Sequence, residues 1–180
     1  MARNVDLLVT VGTTEFDYLI RSLDTAKFAS FVKQEGFTRV FFQIGRGQYE
    51  PHALTALFKD DGKGNGIFFS WFRFVPNLSE LVNGAHTVIS HCGAGTILEV
   101  LDSGARLVVA VNETLMGNHQ MELADALFAR GQCQVIYPAT ALADLAVHPN
   151  PNPNPNRDRN VVPDLFPQLI DQAMGFPAKE

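Results

Sequence analysis

Short unbroken runs of apolar and β-branched residues, each followed by a stretch with helical spacing, constrain this chain more than any other feature. Residues 7–11, 39–44, 87–89 and 106–111 lack the apolar–polar alternation of a strand with one wet face. Strands of that kind are buried on both sides, and the usual cover is helices on both faces of a parallel sheet. Between the first two runs, Phe16, Leu19, Ile20, Leu23, Phe28, Phe31 and Val32 recur at three- and four-residue steps. That spacing predicts an amphipathic helix over 16–34, broken near Asp24 and stopped by Gly36. Further helices are expected over 52–58, 77–83, 118–130 (stopped by Gly131) and 142–147. Further strands are expected over 67–74 and 132–137, with a polar, glycine-rich loop at 60–66. At 180 residues there is room for one domain with one core, placed at 1–147. The Pro-Asn repeat that follows cannot join a helix interior or a central strand, so 148–160 reads as a linker without fixed structure. Leu165, Phe166, Leu169, Ile170 and Ala173 then mark a short amphipathic helix in a tail at 161–180.

Composition removes several classes of function. The net charge is −5 and Lys and Arg are scattered singly, which argues against a nucleic-acid surface. The two cysteines, Cys92 and Cys133, have no metal-ligand spacing and fit a reducing compartment. Cys133 reads as a buried strand residue and Cys92 as a small filler in a tight turn. The apolar run at 7–11 stops at Gly12, too short for a signal segment or a membrane span, and no later segment is long enough to span a bilayer. Association with a membrane is therefore expected through a partner or a surface patch. A Walker loop, a Gly-x-Gly-x-x-Gly fingerprint, a Gly-x-Ser-x-Gly elbow and a paired-carboxylate signature are all missing. No cofactor or metal is expected.

In a parallel α/β sheet, ligands bind beyond the carboxyl ends of the strands where the strand order reverses. The turns at 12–14, 45–47, 91–96 and 112–120 should converge on that rim. The most informative of them is Ser90-His91-Cys92-Gly93-Ala94-Gly95-Thr96, where a buried strand turns into a helix carrying Glu99. Free N–H groups and the positive end of the helix dipole favour a phosphate there. Gly93 and Gly95 let the main chain approach a ligand that a Cβ would exclude, with room for a positive φ at Gly95. Glu99, one turn on, is placed to reach ribose hydroxyls. Gly12, Thr13 and Thr14 are donors for a diphosphate or, more plainly, an exit turn with Thr14 and Asp17 as helix caps. His91 orients a phosphate or leaving group, acts as a general base, or is a structural imidazole satisfied by a backbone carbonyl. Asn118, His119 and Gln120 either offer directional donors to sugar hydroxyls or form a capped helix start with Gln120 in solvent.

Four motifs in this order carry a specific resemblance: Val9-Thr10-Val11-Gly12-Thr13-Thr14-Glu15-Phe16-Asp17, Gln43-Ile44-Gly45-Arg46-Gly47, Ile89-Ser90-His91-Cys92-Gly93-Ala94-Gly95-Thr96, and the run from Val111 to Gln120. Over residues 7–137 the chain resembles the asparagine-linked glycosylation protein thirteen family, the donor-binding subunits of two-part UDP-N-acetylglucosamine transferases. More distantly it is similar to the carboxyl half of the bacterial transferase that makes the second peptidoglycan lipid intermediate. Cys92 stands where the family usually has alanine, and the Pro-Asn repeat has no counterpart in it.

The resemblance implies a Rossmann-like domain equivalent to the C-terminal half of a GT-B glycosyltransferase. It implies inverting transfer of N-acetylglucosamine from UDP-GlcNAc to dolichyl-diphosphate-GlcNAc, a step of N-linked glycan precursor synthesis. It also implies a membrane-anchored, acceptor-binding partner (asparagine-linked glycosylation protein fourteen) and recruitment from the cytoplasm to the cytosolic face of the endoplasmic reticulum. Carried over by position, Gly93, Ala94, Gly95 and Thr96 hold the diphosphate, Gly12, Thr13 and Thr14 border it, and Glu99 holds the ribose. Asn118, His119 and Gln120 read the donor sugar, and His91 is the candidate catalytic residue. Two other readings stand beside this one: a non-catalytic UDP-sugar-binding regulatory module, and a bacterial-type polysaccharide transferase subunit.

Overall fold

A computed structural model of the chain describes residues 5–59, 66–112 and 118–138, the side chains of 118 and 119 excepted. The elements run β1 (Val5–Thr10), α1 (Asp17–Leu23), α2 (Ala26–Gln34), β2 (Arg39–Gln43), α3 (His52–Leu57) and β3 (Phe68–Phe72). There follow α4 (Leu78–Gly84), β4 (Ala85–His91), α5 (Ala94–Ser103), β5 (Arg106–Ala110), α6 (Asn118–Ala129) and β6 (Gln134–Ile136). The six strands form one sheet in the order β3-β2-β1-β4-β5-β6, and every neighbouring pair is parallel. From β1 the chain winds outward to β3, returns through α4 to β4 beside β1, and winds outward the other way.

That reversal places helices on both faces. Leu7, Val9, Val40, Phe42 and Ile89 pack under residues of α1, α2 and α3, such as Leu19, Ile20, Phe28 and Leu54. Val5, Leu8, Phe41, Val88 and Leu107 pack on the opposite side under Leu81, Val82, Ile97, Val100 and Ala124 of α4, α5 and α6. Successive strand residues thus enter alternate cores and both are apolar, which is why the runs show no polar alternation.

The structure differs from expectation in several places. The interrupted helix is two helices, with Thr25 capping the second by accepting a hydrogen bond from Phe28 N–H at 3.2 Å. Thr14 does not cap α1. Its hydroxyl donates to the Val11 carbonyl at 2.8 Å and closes the exit turn, while Phe16 occupies the cap position without a side-chain bond. Asp17 lies in the first turn of α1 and accepts from Gln48 and Tyr49 N–H, at 3.0 and 3.1 Å. The central strand is longer than 87–89, because Ala85 pairs with Val5 and His91 with Ala110. Helix α5 starts at Ala94, so Gly95 and Thr96 belong to its first turn, and φ at Gly95 is not positive. Gly36 and Gly131 sit just beyond α2 and α6 at positive φ, the stops their positions predicted. The expected helix at 142–147, the linker at 148–160 and the tail at 161–180 lie outside the described residues. Among the described residues, no helix is long and apolar enough to cross a membrane.

Asp24 is more than a break between helices. It is buried, and its carboxylate accepts from Tyr49 Oη at 2.6 Å, Leu54 N at 2.7 Å and Ala53 N at 3.1 Å. It therefore satisfies the first turn of α3 and fixes the β2–α3 connection from the α1–α2 junction in the same helical layer. Burial, reinforced by the Asp24 carboxylate, pushes the Tyr49 phenol up to about 12. Replacing Asp24 with Ala strands these donors, and a loss of roughly 2–3 kcal/mol in urea denaturation is expected. Thr25→Ala, which removes one cap bond, should cost about 1 kcal/mol. Equal costs for the two would show that Asp24 acts only as a local helix break.

Candidate functional site

A cleft of about 320 Å³ opens beyond the carboxyl ends of β1 and β4, where the strand order reverses. Its walls come from three places. Gly12 and Thr13 follow β1; His91 ends β4 and Gly93, Ala94, Gly95, Thr96 and Glu99 follow it; Phe74 and Val75 lie between β3 and α4, and Leu78 opens α4. Gln43, the last residue of β2, completes the lining. Eight of the residues singled out from sequence therefore meet in one cavity: Gly12, Thr13, His91, Gly93, Ala94, Gly95, Thr96 and Glu99.

The start of α5 is the chemical centre of this cleft. Its first intrahelical bond runs from Ile97 N–H to the Gly93 carbonyl at 3.0 Å, and Gly93 contributes no side-chain cap. The N–H groups of Ala94, Gly95 and Thr96 precede that ladder, so they and the helix dipole present positive potential to the cleft. A Cβ built on Gly95 meets nothing within 4 Å among the described residues, so the space over it is open to a ligand. Glu99 is exposed one turn on.

His91 has a role that the sequence left open. Its ring is wedged between the two glycine turns: a Cβ on Gly12 would lie 2.6 Å from His91 Cε1, and one on Gly93 would run into His91 Nε2. Gly12 also has φ +60°, a conformation that favours glycine on its own account. The imidazole is 9 % exposed, and its buried Nδ1 has no hydrogen-bond partner among the described residues. Burial lowers the His91 pKa below its ordinary 6.5, against a smaller opposing influence of the nearby Thr10 carbonyl, so the ring is neutral at pH 7. The backbone of Thr10 is the carbonyl contact that the structural reading of His91 expected, and it leaves Nδ1 without a full hydrogen bond among the described residues.

The other expected residues divide. Thr14 does not line the cleft, its hydroxyl being turned back to Val11. Gln120 lies against the glycine turn, since Cys92 Sγ donates to its main-chain carbonyl at 3.0 Å. Its side-chain Oε1 is buried, without a partner among the described residues, so it does not face solvent. Burial raises the Cys92 pKa and pushes the Cys133 thiol up to about 11, as expected of fillers rather than nucleophiles. Helix α6 begins at Asn118, but the side chains of Asn118 and His119 lie outside the described residues, as do residues 113–117.

Sequence reasoning missed Gln43, Phe74, Val75 and Leu78. Phe74 was read as the end of a strand, yet β3 stops at Phe72 and Phe74 stands half-exposed at the lip of the cleft. Gln43 carried one signal, an amide closing an otherwise apolar strand.

Residues 6–145 match the glycosyltransferase family 28 C-terminal domain. The chain belongs to this family. Among its relatives, the UDP-N-acetylglucosamine transferase subunit ALG13 of Homo sapiens is 38% identical over 125 residues, covering 69% of this chain and 10% of that protein. The subunit of the same name from Yarrowia lipolytica is 35% identical over 69% of this chain and 60% of its own length. That from Cryptococcus neoformans var. neoformans is 34% identical over 75% and 78%. The chain thus spans only a tenth of the human relative. An NMR solution structure of ALG13 superposes with a TM-score of 0.61 at 23% identity, covering 94% of this chain and 97% of that one. Acinetobacter baumannii MurG superposes at 0.57 and 19% identity, over 94% of this chain and 41% of that one. These two likenesses establish the fold, and the family match with the relatives bears out the family expected from the four motifs.

The neutral His91 has a consequence for acid stability. In the unfolded chain this imidazole takes up a proton near pH 6.5, whereas in the fold it does so only at lower pH. The unfolded state therefore binds more protons in that window, and stability falls as pH drops below 6.5. Urea midpoints measured from pH 7.5 to 5 should decline, and His91→Gln should decline less. An identical slope in the variant would remove His91 as the source.

Proposed function

We propose that this chain binds UDP-N-acetylglucosamine in the cleft between β1 and β4 and serves as the donor half of a glycosyltransferase. One observation carries the reading: a helix N-terminus with unladdered N–H groups, a second glycine turn and a carboxylate one turn further all line one cleft at the order reversal. The diphosphate lies across the N–H groups of Ala94, Gly95 and Thr96, bordered by Gly12 and Thr13. Glu99 accepts from ribose hydroxyls, and Phe74, Val75 and Leu78 give the base an apolar cover. Asn118, His119 and Gln120, at the start of α6, are the candidates for reading the sugar. As the bond from the anomeric carbon to the diphosphate oxygen breaks, negative charge grows on UDP. Fixed N–H dipoles stabilise that charge without reorganising. His91 packs between the two phosphate-facing turns and orients the leaving group as a neutral imidazole.

The acceptor in this reading is dolichyl-diphosphate-GlcNAc, whose hydroxyl attacks the anomeric carbon with inversion and passes its proton to a base. No carboxylate other than Glu99 lines the described cleft, so that base is assigned to the opposing half. The partner is a membrane-anchored, acceptor-binding subunit (asparagine-linked glycosylation protein fourteen), which recruits the chain to the cytosolic face of the endoplasmic reticulum. The names of the relatives, transferase subunits, support this division of labour. The tail at 161–180, tethered by 148–160, is proposed to hold that partner. The same lack of a second carboxylate favours the alternative, a non-catalytic UDP-sugar-binding regulatory module.

Three measurements test the donor site and separate these possibilities. Gly95→Val introduces a side chain where the free protein has open space, so the thermal midpoint should hold while UDP-GlcNAc affinity falls at least about tenfold. Unchanged affinity would take the diphosphate away from this turn. Transfer from UDP-GlcNAc to dolichyl-diphosphate-GlcNAc should require the membrane-anchored partner, because closing two halves excludes water and delivers the nucleophile. Truncation at Val161 should release the partner and abolish transfer with the domain still folded. Robust transfer by the isolated chain would refute the two-subunit reading, and no transfer with any partner would favour the regulatory module.

A further inference from the structure

Gln43 lines the cleft, yet its amide is already committed. Nε2 donates to the Gly12 carbonyl at 2.7 Å and to the Arg73 carbonyl at 2.6 Å, while Oε1 accepts from Thr10 Oγ1 at 2.6 Å. Thr10 Oγ1 in turn accepts from Gly12 N–H at 3.2 Å. The assignment of the amide is forced by its surroundings, since two carbonyls demand two donors and the hydroxyl supplies the complementary one. Both N–H groups are thereby spent, and none remains to donate to a bound phosphate. The residue is 2 % exposed, so these bonds are shielded from competing water.

The position explains the geometry. Gln43 pairs with Thr10 of β1 on one side and Phe72 of β3 on the other. Its side chain therefore bridges the ends of three adjacent strands. The two carbonyls it holds belong to the turn at Gly12 and to Arg73, the residue just before Phe74. These are the two walls that the proposed donor must touch at once, one at its diphosphate and one at its base.

We propose that Gln43 is a positioning residue that fixes the distance between the phosphate-facing turn at Gly12 and the apolar lip at Phe74, so that one nucleoside diphosphate spans both. The inference rests on the donor reading above and adds to it a residue that never touches the ligand. A residue of this kind has a distinct signature. Each wall keeps its own affinity for the fragment it contacts, while the linked ligand loses the advantage of binding both in register.

NMR-detected titrations of the full-length chain with UDP, uridine and inorganic pyrophosphate test it. For Gln43→Leu, UDP affinity should fall about tenfold, while uridine and pyrophosphate each change by less than about twofold. Thr10→Val keeps the volume, removes the hydroxyl that orients the amide, and should give the same pattern at smaller size. It carries the test if Gln43→Leu does not fold. Unchanged UDP binding in the variants, or a fragment losing as much as UDP, overturns the positioning role and leaves the donor reading standing. Failure of the unaltered chain to bind UDP at any concentration up to millimolar overturns the donor reading itself.

Discussion

The pairing of β1 with β4 is the constraint on which the rest of the structure depends. It joins the first strand to the fourth in parallel, from Val5 with Ala85 to Thr10 with Ser90, at the point where the winding of the sheet changes direction. Because the chain leaves β1 toward one helical layer and β4 toward the other, the two exits diverge and a crevice opens between them. Everything chemical in the site follows from that divergence. The glycine turn after β1 and the start of α5 face each other across it, with His91 filling the gap between their backbones.

Much of the fold was legible before any coordinates, and for a physical reason. Strands covered on both faces must be apolar at every position, and helices laid on them must be apolar at every third or fourth, so the two patterns declare themselves along the chain. The start of α5 was legible too, because a carboxylate one turn after a run of small residues is a local arrangement. What could not be read were roles that depend on distant partners. Asp24 looks like a helix break until it is seen holding Ala53, Leu54 and Tyr49. Thr14 looks like a cap until its hydroxyl is seen turned back to Val11. Gln43 shows no more than an amide at a strand end, because its three bonds reach residues that only the sheet brings near.

The rim is built with unusual use of side-chain polarity in place of regular backbone pairing. Beyond the last rungs of the sheet, main-chain groups of the exit turns would be left without partners inside a partly buried crevice. Side chains from neighbouring elements meet that demand: Thr10 takes the Gly12 N–H, Gln43 takes the Gly12 and Arg73 carbonyls, and Asp17 takes Gln48 and Tyr49 N–H. Among the described residues, three buried atoms of this region are left over, Asp17 Oδ1, His91 Nδ1 and Gln120 Oε1. Unsatisfied polar groups in a native protein are uncommon, and they tend to mark places where function rather than stability set the arrangement.

The β1–β4 pairing also governs when the site can come into being during synthesis. A ribosome delivers β1, α1, α2 and β2 first, and these can associate as they emerge because their partners are close in sequence. The other side of β1 has no partner until Ala85–His91 has left the exit tunnel, so the middle of the sheet stays an open edge through much of translation. Long-range parallel pairing of this kind is slow, since the intervening chain must be gathered before any contact rewards it. The crevice thus cannot form before β4 and α5 have been made, and a nascent chain that ends before Ala85 holds the walls at Gly12 and Phe74 but nothing of the wall that faces them.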